Sequence, residues 1–198
     1  MSSAAKPRKA RPTKQRLLTV ADVAALPDEL PSGPVRYELD NGRLVIMPPA
    51  GFDHGHYELR LGSALLIQGE TRGFGKACCG ETGILLWTNP DRLVGADAAF
   101  IMNRSLPLHF TKERYLATIP ELVVEVVSLR DSISMALSKI KDYLKAGVQV
   151  IWLVKEKTRT VVEYRPGQEP REYKESDTLT VEDIIPGFQF PVSSVFAE

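Results

Sequence analysis

Two long apolar runs, each broken by one acidic residue, stand out along this chain. The first is Leu93-Val94-Gly95-Ala96-Asp97-Ala98-Ala99-Phe100-Ile101 and the second is Glu121-Leu122-Val123-Val124-Glu125-Val126-Val127. The second, bounded by Pro120 and by Ser128-Leu129-Arg130-Asp131, has the length and β-branched content of a buried strand rather than a helix. Upstream, Thr19 precedes a helix-compatible spacing that Pro27 stops, which predicts a short helix over 19–26. Residues 35–39, the turn Asp40-Asn41-Gly42 and residues 43–47 read as a β-hairpin closed by Pro48-Pro49. From 54 to 71, Tyr57, Leu61, Ala64 and Leu65 follow the 3.6-residue period of a helix laid over the sheet.

Strands are expected over 76–79, 83–87 and 98–102, with Thr88-Asn89-Pro90-Asp91 turning between the last two. Residues 106–120 have weak periodicity and read as a loop with a helical turn near 112–117. A helix over 132–146 carries Ile133, Ala136, Leu137, Ile140 and Leu144 as its apolar stripe, Gly147 stops it, and a strand follows over 148–154. Strand, helix and strand of this length imply a crossover, so the strands through Glu125 and Ile151 are expected to be parallel, either adjacent or one strand apart. Residues 160–164 and 171–174 form a C-terminal hairpin around Pro166-Gly167, and a last apolar segment ends near Phe196. The expected fold class is α/β (α+β), a sheet of mixed direction flanked by helices, with hairpins toward both ends.

At 198 residues, 43% of them hydrophobic, the chain suits one domain over 17–198 with a sizeable core. No apolar stretch approaches the roughly 20 residues that cross a bilayer, and the N-terminus lacks the apolar segment of a secretory signal. These features predict a cytoplasmic protein with no membrane contact. The adjacent Cys78 and Cys79 cannot bridge each other in the ordinary way and are too few for a zinc site, so they read as small packing residues.

Net charge is zero, but residues 1–16 hold Lys6, Arg8, Lys9, Arg11, Lys14 and Arg16 and no acid, which leaves the rest of the chain net acidic by six. Such a segment, with Pro7 and Pro12, cannot bury enough surface to fold and reads as a disordered basic tail. It fits a solubilising extension, and it also fits an arm for nucleic-acid phosphates.

An ionised carboxylate inside a dry strand is costly unless it is paired or bound to a metal, so Glu125 calls for an explanation that an exposed glutamate does not. Two acids meeting at a hard cation supply one. Magnesium or manganese takes oxygen ligands and keeps several waters, and Asp97 and Glu125 could provide such ligands. Lys139, four residues from Tyr143 on the same helix face, could orient an attacking water or stabilise charge at phosphorus. Singly, each fits an ordinary role, a strand-end acid or a solvated helix lysine; together they point to metal-dependent phosphodiester hydrolysis.

The order of several further segments strengthens this. They are Thr19-Val20-Ala21-Asp22, Arg36-Tyr37-Glu38-Leu39-Asp40-Asn41-Gly42, Met47-Pro48-Pro49 with His54, and Gly80-Glu81-Thr82-Gly83, followed by the two acid-bearing runs, Lys139 with Tyr143-Leu144-Lys145-Ala146-Gly147-Val148, and Ile151-Trp152-Leu153-Val154. Taken in sequence, they resemble the Uma-two family of endonucleases, a branch of the restriction-endonuclease-like PD-(D/E)XK superfamily. The resemblance spans most of the chain. It implies a restriction-endonuclease-like core and a divalent-metal endonuclease acting on DNA, with Asp97 and Glu125 at the metal and the catalytic lysine moved from strand to helix as Lys139.

Val127 stands where the superfamily usually has its lysine. Glu38 falls at a helper-acid position and His54 at a family position facing the site, while His56 and His109 receive no role. Ala96 and Leu129 replace prolines that the family usually carries; neither proline brings a catalytic group, so the departures bear on fine backbone placement. Cutting both strands of a duplex would suit a homodimer. Two other readings stay open: a catalytically inactive nuclease-fold protein serving as a nucleic-acid-binding or assembly module, and a metal hydrolase for a smaller phosphoester.

Overall fold

The hydrophobic pattern becomes structure in a computed structural model that describes residues 16–47, 49–106, 115–129 and 131–197. Helix α1 (Val20–Ala24) opens with a full capping box, in which Thr19 accepts from the Asp22 backbone while the Asp22 side chain bonds the Thr19 backbone. The short pair β1 (Glu29–Leu30) and β2 (Gly33–Pro34) leads to the expected hairpin of β3 (Arg36–Asp40) and β4 (Arg43–Met47). Its turn residues Asn41 and Gly42 both have positive φ, as a two-residue hairpin turn requires.

Helix α2 (Phe52–Leu65) continues as one π turn over Leu66–Glu70. Gly69 in that turn lies directly on Phe100 and Ile185, where a Cβ would fall within 3.0 Å of both. Next come β5 (Gly75–Trp87) and β6 (Arg92–Met102), the longest antiparallel ladder of the molecule. Two expectations change here. The strands over 76–79 and 83–87 are one strand bent by a bulge, and the strand through Asp97 begins at Arg92, so Asp97 lies mid-strand instead of at its entry. Gly95 and Ala96 fall before the strand expected over 98–102; pairing with β5 makes them strand.

The helical turn expected near 112–117 is absent from its described part: Leu116 bridges to Ile84, and 112–114 lie outside the described residues, as does Pro48. Strand β7 (Leu122–Val127), helix α3 (Ile133–Ala146) and strand β8 (Val150–Lys155) form the predicted crossover, with β7 and β8 parallel and adjacent. Gly147 ends α3 in the left-handed conformation at φ 104°. The C-terminal hairpin is β9 (Thr160–Tyr164) with β10 (Arg171–Tyr173), and a small pair of β11 (Thr178–Leu179) with β12 (Phe190–Pro191) follows. The main sheet runs β10-β9-β8-β7-β6-β3-β4, with β5 along the other edge of β6.

Two apolar layers sandwich this sheet. On one face Leu61 and Leu65 of α2 pack with Phe100, Val124, Trp152, Ile185 and Phe188. On the other, Ala136, Ile140 and Tyr143 of α3 pack with Ile84, Val94, Val123, Ile151 and Leu153. The α3 stripe is rotated from expectation: Ile133 and Leu137 are exposed, while Tyr143 is buried. Positions 136, 140 and 143 share the inward face, and Lys139 falls within it. The cysteine reading holds only in part, for Cys78 is half-buried against this layer and Cys79 is exposed.

Candidate active site

Strand β6 has one edge fully paired with β5 and another shared by two strands. On that second edge, β3 pairs at Leu93 and β7 pairs at Ala98–Phe100, leaving residues 94–97 between them without a ladder partner. Backbone groups stranded at such a fork need other partners. Side chains provide them. Gly95 N–H donates to Glu38 Oε1 at 3.0 Å, the Gly95 carbonyl accepts from Lys139 Nζ at 2.6 Å, and Val126 N–H donates to Asp97 Oδ2 at 2.5 Å. The predicted acids and lysine therefore converge where the sheet splits, drawn from β3, β6, β7 and α3.

Glu125 is 4% exposed, and both of its oxygens are engaged: Tyr143 Oη donates to Oε1 at 2.6 Å and Lys139 Nζ pairs with Oε2 at 2.8 Å. Lys139 also lies 3.3 Å from Glu38 Oε1. The partners respond differently to shared burial. For Glu125, burial is the leading influence and raises its carboxyl to about 7 against the pull of Lys139. For Lys139, burial works against the charge, but Glu125, Glu38 and Asp97 outweigh it and hold the ammonium above its ordinary range. The Tyr143 hydroxyl is raised, first by burial and then by Glu125, so it stays a hydrogen-bond donor.

Asp97, also 4% exposed, faces His54 on the first turn of α2, with His54 Nε2 at 3.1 Å from Oδ1. The contact is off the line of the ring N–H, so this buried nitrogen has no well-formed hydrogen bond among the described residues. The other ring nitrogen lies 3.6 Å from Asp131 Oδ2. Burial opposes protonation of His54, but Asp97, and then Asp131 and Glu81, raise it to about 9.

The sequence pattern assigns no role to Glu81, Asp131, Glu58 or Arg92. Gly80 and Glu81 form the β5 bulge opposite Asp97, both at positive φ, and Glu81 pairs with Arg36. Gly95 keeps this spot open, since a Cβ would sit a tight 3.3 Å from Glu81 and 3.5 Å from Glu38. Glu58 accepts from Gly80 N–H and is raised, chiefly by burial. Arg92 is buried, bonded to Asp142 at 2.7 Å and to the Leu39 carbonyl at 3.1 Å. The legible signal is Gly80-Glu81, a glycine before an acid within a strand, which often marks a bulge.

These groups line a cleft of about 240 Å³ whose walls include Glu38, His54, Glu81, Asp97, Glu125 and Lys139. Tyr143 stands behind it. Carboxylates outnumber cations around the cleft, and one ligand atom each from His54, Glu81 and Asp97 lies within 4.8 Å of the others. Buried acids, an orphaned imidazole nitrogen and this spacing fit a divalent cation. Of the six basic tail residues, Lys6, Arg8, Lys9, Arg11 and Lys14 lie outside the described residues, and Arg16 pairs with Asp22 at 2.7 Å.

A mixed sheet flanked by helices in this strand order is a restriction-endonuclease-like fold. The crystal structure of "a putative nuclease belonging to DUF820" from Anabaena variabilis superposes with a TM-score of 0.76, covering 91% of this chain and 98% of that one at 18% sequence identity. The model of the Uma2 family, described as "Putative restriction endonuclease", matches residues 21–193, and the chain belongs to that family. No curated protein matches it. Among the described residues, no helix is long and apolar enough to cross a membrane.

Proposed function

We propose that the protein is a divalent-metal-dependent endonuclease that hydrolyses DNA phosphodiester bonds at the β6 fork. One observation carries this reading: Asp97, Glu125 and Lys139, far apart in sequence, meet in one cleft that holds more carboxylates than cations. Family and fold point to a nuclease; the chemistry of the cleft supports the finer assignment.

Asp97 and Glu125 would hold the cation: Asp97 Oδ1 has no well-formed hydrogen bond among the described residues, and Asp97 Oδ2 and both Glu125 oxygens keep a lone pair beside their one protein partner. A bound divalent ion supplies Lewis-acid neutralisation of the phosphate and acidifies a coordinated water. Lys139, kept protonated by three carboxylates, can donate to a phosphoryl oxygen or orient the incoming water. Tyr143 fixes the plane of Glu125 from behind, and Glu38 holds Lys139 and Gly95 in register. Exclusion of bulk water by the cleft strengthens each of these contacts.

Supercoiled plasmid incubated with Mg²⁺ or Mn²⁺ tests the reading. Glu125→Gln is expected to lower nicking by about 10²-fold or more while circular dichroism stays native. Cleavage that survives chelation, or that Glu125→Gln leaves intact, overturns it. DNA binding without metal uptake would instead favour a binding or assembly module.

A further inference from the structure

Two groups at the fork do no work in the mechanism above: Glu81, and the inward nitrogen of His54. That nitrogen is buried, lacks a well-formed hydrogen bond among the described residues, and stands 3.1 Å from Asp97 Oδ1. On the far side of the ring, Asp131 Oδ2 lies 3.6 Å from Nδ1. At that separation the carboxylate sits behind the ring as a charge and not as a hydrogen-bond partner; drawn in by a few tenths of an ångström, it would fix the tautomer and turn the other nitrogen toward a metal. Asp131 is itself held by Ser128, whose N–H and hydroxyl donate to it at 2.8 and 2.7 Å, so the backing group is positioned before any ion arrives.

Glu81 completes the set through backbone geometry. The β5 bulge puts it opposite Asp97 at φ 55°, and the missing side chain of Gly95 gives it room. Ligand atoms of His54, Glu81 and Asp97 lie within 4.8 Å of one another. Ligands about 2.2 Å from one ion stand up to about 4.4 Å apart, so a shift of a few tenths of an ångström closes the set. Arg36, which now pairs with Glu81, is half exposed and loses little by turning to solvent.

We propose that His54, Glu81 and Asp97 form a mixed nitrogen and oxygen cradle that selects a first-row transition ion, Mn²⁺ or a later member of the row, over Mg²⁺. It depends on the nuclease reading only for the presence of a cation at Asp97. Magnesium gives up water reluctantly and takes oxygen ligands, whereas an imidazole nitrogen favours the transition ions, increasingly along the row. A site built from Asp97 and Glu125 alone would lack that discrimination.

Calorimetric titration of the metal-free protein with MnCl₂ and with MgCl₂, together with electron spin echo spectroscopy of the Mn²⁺-loaded protein, tests this. Mn²⁺ is expected to bind at least about tenfold more tightly than Mg²⁺, and His54→Gln to remove that margin with Mg²⁺ affinity nearly unchanged. The wild-type Mn²⁺ spectrum is expected to show coupling to a directly bound imidazole nitrogen, a readout that needs no variant. Equal affinities, or a Mn²⁺ spectrum without nitrogen coupling, overturn the cradle. Metal-dependent cleavage without nitrogen coupling would sink the cradle and keep the nuclease reading; nitrogen-bound Mn²⁺ with no cleavage of DNA would do the reverse.

Discussion

Lys139 shows how much a single side chain can owe to its surroundings. Locally it is one of several helix lysines, alongside Lys141 and Lys145, and only its place relative to the apolar stripe sets it apart. In the fold it touches Glu125, Glu38 and the Gly95 carbonyl at once, which makes it the one cation shared by two buried carboxylates among the described residues. Lys139→Met is therefore expected to cost about 3 kcal/mol or more at neutral pH, because it leaves buried acids without their counter-ion. Urea denaturation measures this. A loss below about 1 kcal/mol, the range of exposed pairs, would show that the network is solvated. Glu125 was legible for the opposite reason: an acid among valines is anomalous from its neighbours in the chain alone. Glu81 was harder to read: the Gly80-Glu81 pair signals a bulge, but not that the bulge turns this acid toward Asp97 across the sheet.

The elements carry the site by failing to pair. β3 and β7 diverge along one edge of β6, and side chains fill the gap that a continuous ladder would have closed. The π turn after α2 does related work at the other end of β5. Glu70 accepts from the Ala77 N–H at 2.9 Å and pairs with Lys76 at 2.8 Å, tying the turn to the start of the strand. Lys76 above all holds the Glu70 carboxyl below its ordinary value, against the opposing effect of burial and with help from the Ala77 N–H. A carboxylate whose folded pKa is depressed stabilises the protein above its unfolded value, and that stability is lost as pH falls through the folded value. Glu70→Gln is thus expected to lower stability by roughly 1 kcal/mol or less at pH 7, the pair being partly exposed, and to lose that effect in acid. Thermal melts of both proteins from pH 7 down to pH 3 check it, and a difference that grows on acidification would contradict it.

Across the whole molecule, charge is divided between a basic N-terminal stretch and a net-acidic remainder. An acidic body does not attract a polyanion, so binding of DNA away from the cleft should depend on the tail. Removing residues 1–15 is expected to flatten the slope of log affinity against log salt by about 2 or more, given roughly 0.9 per phosphate contact. Fluorescence anisotropy over a salt series measures it, and an unchanged slope would place the DNA contacts on the folded body instead.

The order of the main strands and helices, the hairpin turn at Asn41-Gly42, the crossover around Glu125 and the parallel direction of β7 and β8 were readable in the chain, because period, turn chemistry and chirality act over short distances; that β7 and β8 are direct neighbours came with the structure. So was the suspicion attached to Asp97, Glu125 and Lys139. The long β5 with its bulge, the rotation of α3 that exposes Ile133 and Leu137, and the gathering of His54, Glu81 and Asp131 around Asp97 came only with the tertiary structure. A bulge, a helix rotation and an ion cradle are decided by which backbone groups find partners across the sheet, and no local stretch of residues contains that information.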